Sequence, residues 1–312
     1  PPLLGLEPHS SPATYLSRRA EFGAEEVTRL MLGSTGITDY LVDTGLDGSL
    51  LLPPRISGSR AYEVVRLETI AEHVAGGGTS AAGFAAAFAE ALGAATRTAV
   101  ALKSVVAYRH GLDLDPARPS ANEVRAAAVR WLASIEATGD VRLTDPVLLR
   151  HLLWTGLETG LPLQLHTGFG DADLTLNRSD PALLTPFLRA VESAGVAVIL
   201  LHCYPYHRNA AYLAHVFPHV HVDVGLTLTY VGTRAGAVLA ETLELAPFAK
   251  VLFSTDAYGL PELYVVGAAL FRQHLQRLLT GWVAEDACTL ADAERIAGMI
   301  ASGNARQIYR LA

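Results

Sequence analysis

Three apolar runs of this 312-residue chain end on a side chain able to bind a cation or move a proton. LPLQLHTG runs into His166, VILLHCY into His202 and VLFSTDA into Asp256. One histidine closing an apolar strand reads most simply as a hydrogen-bonded structural residue. Three such endings point instead to two imidazoles and a carboxylate converging, a donor set suited to a divalent metal, Zn²⁺ in the first place and Mn²⁺ in the second. An inward carboxylate is costly to bury unless a cation or hydrogen-bond donors meet it. The two cysteines, Cys203 and Cys288, form no CxxC pair, so the metal ligands expected are His166, His202 and Asp256.

Elements must bring these groups together. Near-continuous apolar runs at 38–46, 61–69, 99–108, 161–168, 196–204, 219–226 and 250–258 suit parallel strands buried on both faces. Helical patterns lie between them. Ser11 or Thr14 caps a first one that Gly33 or Gly36 ends, an Ala-rich segment covers 79–97, Ser120-x-x-Glu123 opens 120–139 as a capping box, and Asp180-Pro181 opens 180–195. Two or three more helices follow residue 258. Strand alternating with helix predicts an α/β fold, a (β/α)₈ TIM barrel with seven strands visible and the first strand absent from those read, plus C-terminal helices. The expected organisation is a single barrel domain over 1–312, with an N-terminal helical segment at 1–37, barrel strands and helices at 38–258 and C-terminal helices at 259–312. The separations of 36 residues between His166 and His202 and 54 between His202 and Asp256 fit one and two βα units. Barrel active sites gather at the C-terminal ends of the strands, where all three residues fall. Alternation places Gln164 inward with His166, Val198 and Leu200 inward with His202, and Ser254 inward with Asp256.

Other polar residues share these strand ends. Arg66 and Glu68 are read on one face of the second strand, with Lys103 inside the third and Arg109 at its end. Either Glu68 and Lys103 form an internal salt bridge, or Glu68, Lys103 and Arg109 bind substrate, with a cation gripping a carboxylate. Asp43 is a further pocket candidate, and Asp223 either faces inward or bonds a neighbouring strand. Tyr204, His207 and Arg208 enter a loop, where a solvated position is expected for His207. His219 and His221 are read as structural or exposed.

A formal net charge of −7, with no basic run longer than Arg18-Arg19, argues against a nucleic-acid partner. Half the residues are hydrophobic, yet no apolar run nears the ~20 residues of a membrane span, so no membrane partner is expected. PPLLGLEPHSSP lacks the pattern of a signal peptide, and the expected compartment is the cytoplasm. No GxSxG elbow and no GxxxxGK[ST] loop occurs, and GGGTSAAG lacks the strand–turn–helix setting of a dinucleotide fingerprint. A small-molecule substrate and a homo-oligomer are the expected partners.

The set LQLHTGFGDAD, VILLHCYPY, VDVGL and VLFSTDA, in that order, resembles the metal-dependent amidohydrolase superfamily, closest to its amidohydrolase 2 branch of decarboxylases and lactonases. LPLQLHTGFGDADLTLNRSDPALL is similar to the amidohydrolase-like domain fused to glutamine synthetase-like domains in some fungal and plant proteins. ASGNARQIYRL resembles the family's ending. The resemblance runs from about residue 38 onward. It implies His166 as the fifth-strand metal ligand, His202 as the sixth-strand histidine that binds a second metal or assists the attacking water, and Asp256 as the eighth-strand ligand and proton shuttle. The family's first-strand His-x-His finds no match, and the expectation is that it lies upstream of Pro1, with a degenerate member as the other reading. The function implied is metal-dependent hydrolysis of a C–N or C–O bond in a small carboxylate-bearing substrate, with Asp256 and His202 catalytic. The alternatives are a metal-dependent decarboxylase or lyase, or a non-catalytic barrel partnering a glutamine synthetase-like protein.

Overall fold

The computed structural model describes residues 1–45, 49 and 52–311. Seven strands form one sheet in chain order: β1 (Asp39–Asp43), β2 (Arg60–Arg66), β3 (Ala101–Ser104), β4 (Leu163–Thr167), β5 (Val198–His202), β6 (Val220–Asp223) and β7 (Val251–Leu252). Every neighbouring pair is parallel. Each run read as a strand holds one, shorter than its apolar stretch, and position 46 lies outside the described residues. Every residue of β4 and β5 is buried, as a strand covered on both faces requires. The sheet curls, because Val64 of β2, Ala101 of β3, Ile199 and Leu201 of β5 and Leu252 of β7 share one inner cluster with Tyr309. A flat sheet would keep β2 and β7 far apart. Val65, Leu102, Leu163, Leu165, Val198, Leu200, Val220 and Val222 face the other way, into the large core beneath the helices.

Helices flank this sheet. The first helical pattern is two helices, Pro12–Ala20 and Ala24–Ser34, with Ser11 Oγ accepting from Thr14 N at 3.1 Å to cap the first. Ser120 and Glu123 form the expected capping box on Ala121–Thr138. The segment read as one helix at 180–195 is instead a short helix, Thr185–Val191, between two 3₁₀ turns, Pro181–Leu184 and Glu192–Ala194. No helix among the described residues is long and apolar enough to cross a membrane.

The C-terminal segment reaches both end strands of the sheet. Asn304 Nδ2 donates to Val251 O of β7 at 2.8 Å and to Phe248 O at 2.7 Å. Arg306 Nη2 pairs with Asp39 of β1 at 2.8 Å, and Tyr309 Oη accepts from Gln164 Nε2 at 2.9 Å. Asn304 is buried, so its truncation leaves two carbonyls without this donor. Asn304→Ala is expected to lower stability by about 2 kcal/mol in urea unfolding, a buried unsatisfied group costing roughly 1–3 kcal/mol. An unchanged midpoint would show that the clamp contributes nothing.

Three local readings are corrected here. Glu68 is not on β2, because the strand stops at Arg66 and Glu68 lies in the first turn of the helix Leu67–Gly76. The run 99–108 keeps only four residues in β3 and then turns into the short helix Val106–Arg109. Glu68 is the cause: its Oε1 accepts from Ser104 Oγ at 2.6 Å and from Val105 N at 3.0 Å, taking an N–H that the ladder would otherwise use. His207 is not in a solvated loop. It opens the helix His207–Val216, is buried, and its Nε2 lies 2.7 Å from Glu241 Oε2.

Candidate active site

At the C-terminal ends of the strands a cavity of about 800 Å³ is lined by His166, His202 and Asp256, together with Asp43, Lys103 and Asp223. His166 arrives by simple alternation. It is paired in register with Leu201, and both side chains point into the curl. His202 does not. It is paired with Thr167, whose side chain turns away to donate from Oγ1 to Leu201 O at 2.8 Å. Val198 and Leu200 face the helices, so the inward residues of β5 are Ile199 and Leu201, the reverse of the expected phase.

His202 enters the cavity because the backbone turns at the strand end. His202 and Cys203 have φ of 69° and 65°. Cys203 N donates to Leu201 O at 2.8 Å and Tyr204 N to His202 O at 2.9 Å, two successive three-residue turns. Such left-handed positions on non-glycine residues cost on the order of 1–3 kcal/mol each and persist only where surroundings hold them. Thr227 Oγ1 does so by donating to His202 O at 2.7 Å. Asp256 is also left-handed, with φ of 48°.

The result brings the three predicted residues together. The His166 and His202 rings are 4.7 Å apart between centroids, and His202 Nε2 is 3.7 Å from Asp256 Oδ2. His166 Nε2 and both nitrogens of His202 are buried with no hydrogen-bond partner. Burial pushes the pKa of both imidazoles down, so both are neutral at pH 7 with a lone pair to offer. Burial alone would raise the Asp256 carboxyl, but the facing His202, Lys103 and His166 lower its pKa, and with both rings neutral the Lys103 ammonium is the cation that acts on it at pH 7. The Asp256 side chain keeps 38 % of its surface open to the cavity. Unpartnered neutral imidazoles beside an ionised carboxylate are the chemistry of a divalent-metal site, and in donor type the residues fit. Among the described residues no group of three His, Cys, Asp or Glu side chains is close enough to form a ready metal cage.

The other predicted residues separate. Lys103 Nζ pairs with Asp43 Oδ2 at 3.1 Å, and Arg66 pairs with the same oxygen at 2.5 Å. The internal salt bridge therefore exists, but Asp43 rather than Glu68 is its acid. Burial would raise Asp43, yet Lys103, Arg66 and the Gly45 N–H together lower its pKa. Arg109 lines the cavity and is held by Glu72 at 2.8 Å. Glu68 does not line it. Fully buried, with Oε2 unpartnered and its pKa raised by burial, it braces the end of β3. Asp223 does face inward. Its Oδ1 accepts from Gly225 N at 2.7 Å, and burial raises its pKa.

Tyr108 is a cavity residue that alternation gave no reason to select. Its ring lies 4.5 Å from that of His166, and its Oη accepts from Asp171 N at 3.1 Å. Gly170 makes this approach possible: a Cβ there would overlap Tyr108 Oη and stand 3.1 Å from His166 Nε2. Its backbone is one any residue could adopt, so the constraint is space. Gly170→Ala is expected to cut kcat/KM about 100-fold through displacement of Tyr108 and His166, with little change in Tm. Equal kinetics in the two proteins would mean that the loop yields freely.

Residues 63–311 match the family profile of the amidohydrolases (Amidohydro_2). The chain belongs to the amidohydrolase family. It is 33 % identical over 223 residues to protein fluG of Emericella nidulans and spans only about a quarter, 26 %, of that relative's length. Among solved structures, a candidate metal-dependent hydrolase from Lactobacillus casei superposes with a TM-score of 0.82 at 31 % identity, covering 92 % of this chain and 77 % of that one. The uronate isomerase of Thermotoga maritima shares the fold, with a TM-score of 0.68 at 14 % identity over 98 % of this chain and 76 % of that one. As an amidohydrolase, the chain has a curled parallel sheet of the TIM-barrel kind.

Proposed function

We propose that this amidohydrolase is a metal-dependent hydrolase that cleaves a C–N or C–O bond in a small carboxylate-bearing substrate. The observation that carries the reading is the set of buried, unpartnered nitrogens on His166 and His202 facing the open carboxylate of Asp256. These three residues would hold a divalent cation, Zn²⁺ or Mn²⁺. Lewis acidity for polarising the scissile carbonyl and acidifying a water would come from that cation when bound. Asp256, ionised and open to the cavity, accepts the proton of the attacking water and returns it to the leaving group. His202, neutral and 3.7 Å from Asp256, is placed to assist that transfer. Lys103 and Arg109 supply positive charge for the substrate carboxylate, each already oriented by an acid, Asp43 and Glu72. The similarity to the Lactobacillus casei protein supports metal-dependent hydrolysis.

The test strips the protein with chelator, then titrates Zn²⁺ and Mn²⁺ while following hydrolysis of small amides and lactones and bound metal by elemental analysis. Activity that rises with one bound equivalent supports the reading. No activity and no retained metal at any loading would overturn it.

A further inference from the structure

Asp43, Arg66, Lys103 and Arg109 line the cavity on the β1–β3 side. Beyond the His166–His202–Asp256 trio, the segments after β4, β6 and β7 add apolar and aromatic groups, Phe169, Leu226, Tyr230, Tyr258 and Leu263, alongside the carboxylates of Asp171 and Asp173. Tyr230 is 72 % exposed and Tyr258 59 %, unusual for large rings facing a cavity. Tyr230 is nevertheless fixed, because Phe169 meets it edge-on at 5.4 Å and 67°. Phe169 is braced in turn by Tyr204 at 5.9 Å and 87°, and Tyr204 stacks on His207 at 5.7 Å and 5°. His207 is anchored by Glu241. A row of rings held from behind and open in front offers a rigid apolar face at low entropic cost.

We infer that Phe169 and Tyr230 form a stacking subsite for an aromatic ring of the substrate, so that the cavity selects molecules carrying a carboxylate at one end and an aryl group at the other. The inference shares its carboxylate-binding side with the hydrolase reading proposed above but needs no turnover. The β1–β3 wall orients the carboxylate, the trio faces the bond between the two ends, and the aryl group covers Tyr230. Bipolar pockets of this kind, apolar with a few convergent polar groups, are the usual form of small-molecule sites.

The experiment is calorimetric titration of the full chain, with and without Zn²⁺, using N-benzoylglycine and N-acetylglycine as a matched pair. N-benzoylglycine is expected to bind about ten-fold tighter. Tyr230→Ala, at an exposed position, is expected to abolish that advantage while leaving N-acetylglycine affinity unchanged. Equal affinities in the parent protein, an advantage that survives Tyr230→Ala, or no binding of either compound would each overturn the subsite. Aryl preference without hydrolysis under any metal loading would sink the hydrolase reading and leave the subsite standing.

Discussion

Asp256→Asn is expected to lower kcat about 1,000-fold in the zinc-loaded protein, because the carboxylate 3.7 Å from His202 Nε2 loses its ability to carry a proton. General acid–base groups contribute roughly 10²–10⁴ in rate. The replacement keeps the shape of the side chain, so the fold survives and Tm serves as the control. Asparagine is also a weaker metal ligand than a carboxylate, and bound metal should fall with activity. A kcat within a few-fold of the parent would remove Asp256 from the mechanism, and a rate that falls while bound metal does not would remove it from the ligand set but keep it as the proton carrier. The prediction depends on Asp256 being ionised at neutral pH, which its surroundings favour. Burial opposes the charge, but the groups facing it lower its pKa, and at neutral pH the Lys103 ammonium is the one that carries charge.

Acid is expected to destabilise the folded chain through a ring remote from that chemistry. His221 on β6 has a buried Nδ1 with no partner, and burial, helped by Lys250, lowers its pKa from 6.5 to about 4. Between pH 6.5 and about 4 the unfolded chain binds a proton at this ring that the folded chain does not. Stability therefore falls as pH falls across that window, by about 3 kcal/mol from this residue. Glu68 and Asp223, whose pKa values are raised by burial, act in the opposite sense and stabilise the folded state as they protonate. Comparing the parent with His221→Leu cancels them, since both proteins carry both acids. The difference in urea-unfolding free energy between pH 7.5 and pH 4.5 should shrink by about 3 kcal/mol in the variant. The same difference in both proteins would show that His221 is freely protonated in the folded state.

The parallel α/β fold and the strand ends at His166 and His202 were legible in the sequence for a simple reason. Strands buried on both faces write themselves as apolar runs, and a polar residue closing such a run stands out. His166 also obeys the pleat, so its inward direction with Gln164 could be read from alternation alone. His202 could not be placed that way. Alternation put Val198 and Leu200 inward with it, whereas Ile199 and Leu201 line the curl and His202 reaches it through left-handed turns at 202 and 203. No glycine marks those turns, and Thr227, which bonds the His202 carbonyl, comes from the next βα unit.

Partnership was equally hidden. Apolar periodicity could not show β2 ending at Arg66, which left Glu68 as one candidate partner for Lys103, whereas Asp43 on β1 takes that role. The sequence by itself determined that His166 and His202 close buried parallel strands, because burial imposes its pattern residue by residue along the chain, whereas Asp256 lies past Leu252, where β7 ends. Only the tertiary structure decided which way His202 turns, which acid holds Lys103 and which rings stand across the cavity, because those follow from how separate strand ends meet once the sheet curls.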